Sequence, residues 1–192
     1  VSQHDALPIF ERYESYDVFN HRAARVIGTQ DLFKGINVAT IPGLDGSGEI
    51  AGVADTGIRN THPDFWNPTF SDKVIATFPT NWDDYNSHGS HVAGTVAGTG
   101  ASSANRQQKG IAYNARLVTQ NFLGNQSYYN TLGGLYALLQ EAYNAGVRTH
   151  NNSWGYNWSG YYHYYGAGEY TSGARDIDRF LWDHMEIGRA HV

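Results

Sequence analysis

Two short segments of this 192-residue chain carry side chains whose types and spacing suit joint chemistry. Asp55 ends an apolar run, and His88, 33 positions later, opens the segment His-Gly-Ser-His-Val-Ala-Gly-Thr. In acyl transfer, an aspartate fixes the tautomer of a histidine and stabilises its imidazolium form, while the histidine removes the proton of a nucleophile. Asp55 and His88 are therefore the candidate catalytic residues.

Metal binding is an alternative use of the same side chains. His88 and His91 are three residues apart, which suits a metal site on a helix with Asp55 as a third ligand. No His-Glu-x-x-His arrangement follows, so a metal-dependent hydrolase is the weaker hypothesis. Asp45 and the acidic pair 83–84 suggest calcium, but their spacing does not match a calcium-binding loop. We therefore assign no metal ligand.

Apolar runs predict the strands that position these residues. The predicted strands cover residues 49–54, 115–122 and 147–153, and helical segments separate them. Strands that alternate with helices indicate an α/β fold with a parallel sheet and helices on both faces. Ligands of such sheets bind at the carboxyl ends of the strands, which is where Asp55 and residues 153–155 are expected.

Three segments have the pattern of helices. They cover residues 88–98, the stretch from Leu132 to a C-terminal cap at Gly146, and the stretch from an N-cap at Ser172 to His184. Gly94 and Gly98, one turn apart in the first helix, are expected to allow close packing against a neighbour. A weaker helical pattern lies at residues 22–33.

The two motifs together resemble those of the subtilisin-like serine proteases, the subtilases. Residues 55–57 match the family's Asp-Thr-Gly, and residues 88–95 match its His-Gly-Thr-His-Val-Ala-Gly-Thr with Ser90 in place of threonine. Two further blocks, 110–124 and 150–155, resemble the segments that flank the substrate in this family. The likeness extends over about residues 20–185. The Ser-Trp-Gly sequence around Trp154 is similar to the alkaline, oxidation-resistant subtilisins.

The resemblance implies a secreted serine endopeptidase that hydrolyses peptide bonds through an acyl-enzyme and an Asp-His-Ser triad. It implies a polypeptide substrate, and the residues that match the family's substrate-binding segments are Leu123, Gly124, Ser153, Trp154 and Gly155. Asn86, which precedes the histidine motif, is a further candidate for substrate binding, with capping of its loop as the alternative. A full-length relative is expected to be a monomer, with no cofactor required and structural calcium as an option. A non-catalytic subtilase-like binding module is the alternative that the resemblance leaves open.

Two parts of the family's machinery have no match in the sequence. The family places an oxyanion-hole asparagine after the next core strand and the nucleophile in a later Gly-Thr-Ser-Met-Ala segment. Neither follows Met185, and Ser87, Ser90 and Ser153 stand in other contexts. Because the nucleophile and an oxyanion donor each contribute orders of magnitude in rate, we expect this chain to be inactive alone.

The ends of the chain have a different character from the middle. Residues 1–9 and 187–192 resemble translated sequencing adapters, with natural frayed termini as the alternative. We expect residues 10–19 to be a propeptide tail or linker. Residues 20–186 are expected to be the N-terminal part of a catalytic domain, truncated before the domain's C-terminal half.

Composition excludes several other classes of protein. The net charge of −5 argues against a nucleic-acid partner or an anionic membrane surface, and no apolar run approaches the ~18 residues of a membrane helix. The absence of cysteine excludes disulfides and thiolate zinc sites. The tyrosine-rich segment 156–170 fits either a substrate platform or an ordinary surface loop.

Overall fold

The computed structural model describes residues 43–65, 73–80, 83–106, 108–155 and 170–186. In chain order the strands and helices are β1 (Ile50–Asp55), β2 (Val74–Phe78), α1 (His88–Ala97), a short 3₁₀ helix (Ala104–Arg106), β3 (Arg116–Asn121), α2 (Gln126–Leu132), α3 (Leu135–Asn144), β4 (Thr149–Asn151) and α4 (Ser172–Asp183). The expected helix at 22–33, both adapter-like ends, and residues 10–19 lie outside the described residues, as does all of the tyrosine-rich segment except Tyr170.

The four strands form a parallel sheet in the order β2-β3-β1-β4. β1 pairs along its whole length with β3, from Ile50 opposite Arg116 to Asp55 opposite Asn121. On its other side β1 pairs with β4 through three residues only. β1 is therefore the central strand around which both predicted motifs are arranged.

Side chains of β1 alternate between two helix-covered faces, as the period of a strand requires. Ala51 and Val53 pack in one apolar cluster with Ala93 and Ala97 of α1. On the opposite face, Ala54 packs with Leu138 of α3. The predicted α/β fold with helices on both faces is confirmed, and Asp55 shares the face that α1 covers.

The structure corrects several element boundaries. Strand β2 was not predicted, and the strand expected at 147–153 is shorter, at Thr149–Asn151. The helix expected from Leu132 begins instead at Leu135, because Gly133 and Gly134 have positive φ angles of 77° and 142°; Leu132 ends α2, which was not predicted. Ser172 is not the N-cap of α4: the Thr171 hydroxyl accepts the hydrogen bond from Ala174 N at 3.3 Å.

In the described part of the chain, no helix combines the length and the apolar character needed to cross a membrane.

Candidate active site

Asp55 and His88 are in direct contact. Asp55 ends β1 and is only 1% exposed, and its Oδ1 lies 2.7 Å from His88 Nδ1. The same oxygen accepts a hydrogen bond of 2.7 Å from the backbone N–H of Thr56. A carboxylate that accepts from Nδ1–H fixes the tautomer in which Nε2 has a free lone pair. Since the His88 side chain is 49% exposed, that nitrogen is available to a reaction partner.

The turn after Asp55 and the start of α1 are packed backbone against backbone. Gly57 has a φ of 113°, which suits glycine, and a Cβ atom on Gly89 would lie 2.2 Å from the Gly57 carbonyl oxygen. The backbone N–H of Gly89 donates to the hydroxyl of Thr56 at 2.8 Å. The glycines in the two motifs therefore allow the approach that brings His88 to Asp55.

Asp84 connects the two motifs, and sequence reasoning missed this role. Its Oδ1 accepts from the Thr56 hydroxyl at 2.8 Å and from Ser87 N at 2.9 Å. Its Oδ2 accepts from the backbone N–H and the hydroxyl of Ser90, at 2.8 and 2.6 Å. Ser87 has the N-cap position of α1 but makes no side-chain cap, so the Asp84 carboxylate serves that end of the helix.

The hydrogen-bond donors of Thr56, Ser87 and Ser90 stabilise the negative charge of Asp84. Burial by itself would raise the pKa of the carboxyl, but the hydrogen bonds from Ser90, Thr56 and Ser87 outweigh it and lower the pKa below its usual value. Asp84 is thus ionised near neutral pH and uses both oxygens on donors of the protein itself. The available sequence signal was an acidic residue four positions before His88, just ahead of a predicted helix.

Leu123 and Gly124 lie beside the carboxyl end of β1. The backbone N–H of Leu123 donates to the Asp55 carbonyl oxygen at 3.0 Å, and the Leu123 side chain is 48% exposed. A Cβ atom on Gly124 would lie 2.3 Å from Asn121 Oδ1 and 2.6 Å from the Thr56 carbonyl oxygen. The structure therefore places this predicted substrate segment against the turn that carries Asp55.

Residues 153–155 lie on the other side of β1. Trp154 lies three residues after the end of β4, and its indole Nε1–H donates to the Ala54 carbonyl oxygen at 3.0 Å. The indole also packs on Phe122, with ring centroids 4.8 Å apart. Ser153 is exposed and its hydroxyl donates to Asn151 Oδ1 at 2.8 Å, while a Cβ on Gly155 would meet no atom within 4 Å.

A cavity of about 330 Å³ lies between the two segments, lined among others by Phe122, Leu123, Tyr129, Trp154 and Gly155. Three of the six predicted substrate-binding residues, Leu123, Trp154 and Gly155, thus line this groove. Asn86 is exposed in the loop before α1, where its backbone N–H donates to Asp84 Oδ1 at 3.2 Å. Substrate contact by these residues remains a prediction.

The serines of the described residues do not complete a triad. The hydroxyl of Ser90 donates to Asp84, and that of Ser153 donates to Asn151. Within the described ranges, no serine hydroxyl is hydrogen-bonded to His88. Of the residues considered for a metal site, His91 lines a cavity of about 370 Å³ with His62 and Asp64, and neither Asp55 nor His88 is part of that lining. Across the described residues, no group of three or more His, Asp or Glu side chains is placed to hold a metal ion.

The fold and the site together define an α/β protein with an Asp–His pair at the carboxyl end of its central parallel strand. Comparison with known proteins assigns the family: the model of the subtilase family, peptidase S8, matches residues 46–184. The chain belongs to the subtilase family of serine proteases.

Relatives agree with this assignment, and a solved structure has the same fold. The chain is 30% identical over 203 residues to the serine protease/ABC transporter B family protein tagB of Dictyostelium discoideum, which covers 97% of this chain and 10% of that protein. It is 31% identical over 112 residues to the major intracellular serine protease of Bacillus subtilis, covering 54% of this chain and 34% of that protein. The structure of the Clostridium perfringens CspB protease matches with a TM-score of 0.60 at 19% identity, over 84% of this chain and 37% of that chain.

The chain spans about a tenth of the length of the Dictyostelium relatives tagB and tagD. The relatives also differ in setting, since one is named an intracellular protease and others are joined to ABC transporters. Family membership therefore does not decide the compartment, and secretion remains a prediction. Similarity to the alkaline, oxidation-resistant subgroup likewise remains a prediction.

Proposed function

We propose that this chain supplies the aspartate and histidine of a serine endopeptidase that hydrolyses peptide bonds through an acyl-enzyme. The observation that carries the proposal is the 2.7 Å hydrogen bond between Asp55 Oδ1 and His88 Nδ1. In this assignment His88 Nε2 takes the proton of the attacking serine and later gives it to the leaving amine. Asp55 holds the tautomer and stabilises the imidazolium that forms in between.

The proposed substrate is a polypeptide bound in extended conformation between residues 123–124 and 153–155. Each segment follows a strand of the sheet, and Leu123, Trp154 and Gly155 line one groove. The backbone N–H of Leu123 donates to the Asp55 carbonyl oxygen at 3.0 Å, which connects this segment to the end of β1. An extended peptide gains affinity from main-chain hydrogen bonds, and pockets for its side chains give preference. The aromatic walls formed by Phe122, Tyr129 and Trp154 favour an apolar side chain in this groove.

The nucleophilic serine and the oxyanion-hole asparagine are proposed to come from a longer polypeptide that contains this chain, here called the parent polypeptide. The 192-residue chain alone is then inactive, because it has the base but neither the nucleophile nor that oxyanion donor. The full-length enzyme is proposed to be monomeric and secreted.

Labelling with a serine-directed fluorophosphonate tests this function. The parent polypeptide should be labelled and should cleave an unfolded protein substrate, and His88→Ala should abolish both. The 192-residue chain should show neither. If the parent polypeptide binds peptide but is neither labelled nor active, the non-catalytic binding module is the correct function instead.

A further inference from the structure

A network of hydrogen-bonded polar side chains crosses the sheet face that α3 covers. At its centre is Gln120 of β3, which is completely buried. Its Nε2 donates to the Leu138 carbonyl oxygen at 2.9 Å and to Glu141 Oε2 at 2.8 Å. Its Oε1 lies 2.9 Å from His150 Nε2, and the Tyr128 hydroxyl donates to the same Glu141 oxygen. Gln120 is fully buried and the other three residues are partly buried. Because polar groups removed from water are costly unless they are hydrogen-bonded, this arrangement indicates a specific role.

The donors and acceptors of this network allow only one orientation of the Gln120 amide and one tautomer of His150. The Gln120 amide nitrogen must face the Leu138 carbonyl and the Glu141 carboxylate, because both are acceptors. Its oxygen therefore faces His150, whose Nε2 must carry the proton. His150 Nδ1 is buried without a hydrogen-bond partner among the described residues, so a proton there would have no acceptor and the ring is neutral. Burial and the bond to Glu141 raise the pKa of Tyr128 above its usual value, so its hydroxyl stays protonated.

A glycine in the middle strand makes the crossing possible. His150 lies on β4 and Gln120 on β3, with β1 between them. The register places Gly52 of β1 directly opposite His150, and a Cβ atom on Gly52 would lie 2.5 Å from His150 Cδ2. The φ angle of Gly52 does not require glycine, since it is absent from the positive-φ residues. The missing side chain therefore gives space to the imidazole that reaches over β1.

The hydrogen-bonded side chains lie close in sequence to both segments that border the groove. His150 comes three residues before Ser153, and Gln120 comes three residues before Leu123. Tyr128 stands on α2, which begins two residues after Gly124. β4 itself is tied to β1 through only three paired residues, so its position depends on additional contacts.

We propose that Tyr128, Glu141, Gln120 and His150 form a positioning unit that fixes residues 153–155 relative to residues 123–124 and thereby sets the width of the groove between them. The use of that groove for a peptide rests on the proposed function. The positioning itself does not, because it concerns the distance between two segments of the folded chain. None of the four side chains is assigned contact with substrate.

The first test measures whether a change at Tyr128 affects His150 at the other end of the unit. In the 192-residue chain, Tyr128→Phe removes a hydroxyl on α2 and should shift the ¹⁵N resonance of His150 Nε2, assigned by its loss in His150→Gln. Tyr129→Phe is the matched control, because it removes a neighbouring hydroxyl that is not part of these hydrogen bonds and leaves the ring on Phe122. A His150 resonance that is unchanged in Tyr128→Phe, or equally shifted in the control, contradicts the proposal.

The second test separates positioning from stability. Gly52→Ala should displace the His150 ring and increase the hydrogen-exchange rate of the Trp154 indole N–H at least tenfold, with a lower melting temperature. Adding His150→Ala removes the closest contact and leaves that with Val147 Cγ1 at 2.9 Å, so the double variant should melt above Gly52→Ala. Its indole N–H should nevertheless exchange as fast, because the link to Gln120 is still absent. An exchange rate that recovers together with the melting temperature would mean that the four residues are only structural.

Peptide kinetics in the parent polypeptide complete the design. Tyr128→Phe should raise KM severalfold for peptides long enough to contact both segments and change kcat less than twofold. Tyr136→Phe is the control here, because its hydroxyl donates to Asp183 and its side chain does not line the groove, and it should leave KM unchanged. If the parent polypeptide cleaves no peptide, the proposed function fails, and the two measurements on the 192-residue chain still decide the positioning unit. A loss confined to kcat would overturn the assignment to groove width.

Discussion

A Cβ atom added to Gly89 would lie 2.2 Å from the carbonyl oxygen of Gly57. These two glycines belong to different motifs, one following Asp55 and the other following His88. The contact is between backbones, so a side chain cannot be accommodated by a rotamer change. The closeness of α1 to the end of β1 therefore depends on this one missing methyl group.

Gly89→Ala should destabilise the chain by at least about 2 kcal/mol, since overpacking against backbone forces the helix away. Gly94→Ala in the same helix is the matched control: its Cβ would meet nothing closer than Phe65 at 3.9 Å. Alanine is the better helix former by up to about 1 kcal/mol, so the control should be neutral or stabilising. Urea unfolding of the two variants gives the comparison, and equal midpoints would refute this packing.

Asp84→Ala should cost about 2 to 4 kcal/mol of unfolding free energy, because it leaves donors of Thr56, Ser87 and Ser90 without their acceptor. The ¹⁵N resonances of His88 should also move, since α1 and the turn after Asp55 lose their shared partner. Asp83→Asn, a change at the adjacent exposed position, is the control. Similar stability and His88 spectra in both variants would show that Asp84 does not position the pair.

The stability of the chain should fall as the pH is lowered from about 6.5 to 4. Burial lowers the pKa of His150 from 6.5 to about 4, so in this range the unfolded chain binds a proton that the folded chain does not. The loss should approach the order of 3 kcal/mol below pH 4, at 1.36 kcal/mol for each pKa unit.

Other groups titrate in the same range, so the measurement is the difference between the pH profiles of the wild type and of His150→Gln. The stability difference between the two proteins should become smaller as the pH falls, because only the wild type loses stability by keeping His150 neutral. The exposed His91, changed to glutamine, should leave the wild-type profile in place. A His150→Gln profile parallel to the wild type would mean that His150 is not held neutral by the fold.

The sequence predicted the sheet and the Asp–His pair because both depend on local patterns. The apolar run before Asp55 is a buried strand with helices over both faces, and β1 and β3 follow the predicted segments closely. The motif around His88 is a helix start, and the expected helix ends at Ala97. These features need only periodicity and short spacing.

Tertiary relationships could not be obtained in the same way. Gly94 and Gly98 were expected to allow close packing of α1 against a neighbour, and the chain at Gly110 does approach them: a Cβ on Gly110 would lie 2.6 Å from the Gly94 carbonyl oxygen. The approach of α1 to the turn after Asp55 is made by a different glycine, Gly89. The hydrogen bond from Trp154 to Ala54 joins residues 100 positions apart. In the sequence, Gln120 and His150 are ordinary polar residues, and only the register of β3, β1 and β4 places their side chains together.

The turnover number of the parent polypeptide, measured with a peptide substrate for the wild type, Asp55→Asn and His88→Ala, tests the central claim most directly. The Asp55–His88 pair predicts that kcat falls about 10⁴-fold in Asp55→Asn and about 10⁶-fold in His88→Ala, the scale of the corresponding losses in other serine proteases. KM should change little in both variants. Peptide hydrolysis that survives either substitution within tenfold would contradict the assignment of this pair.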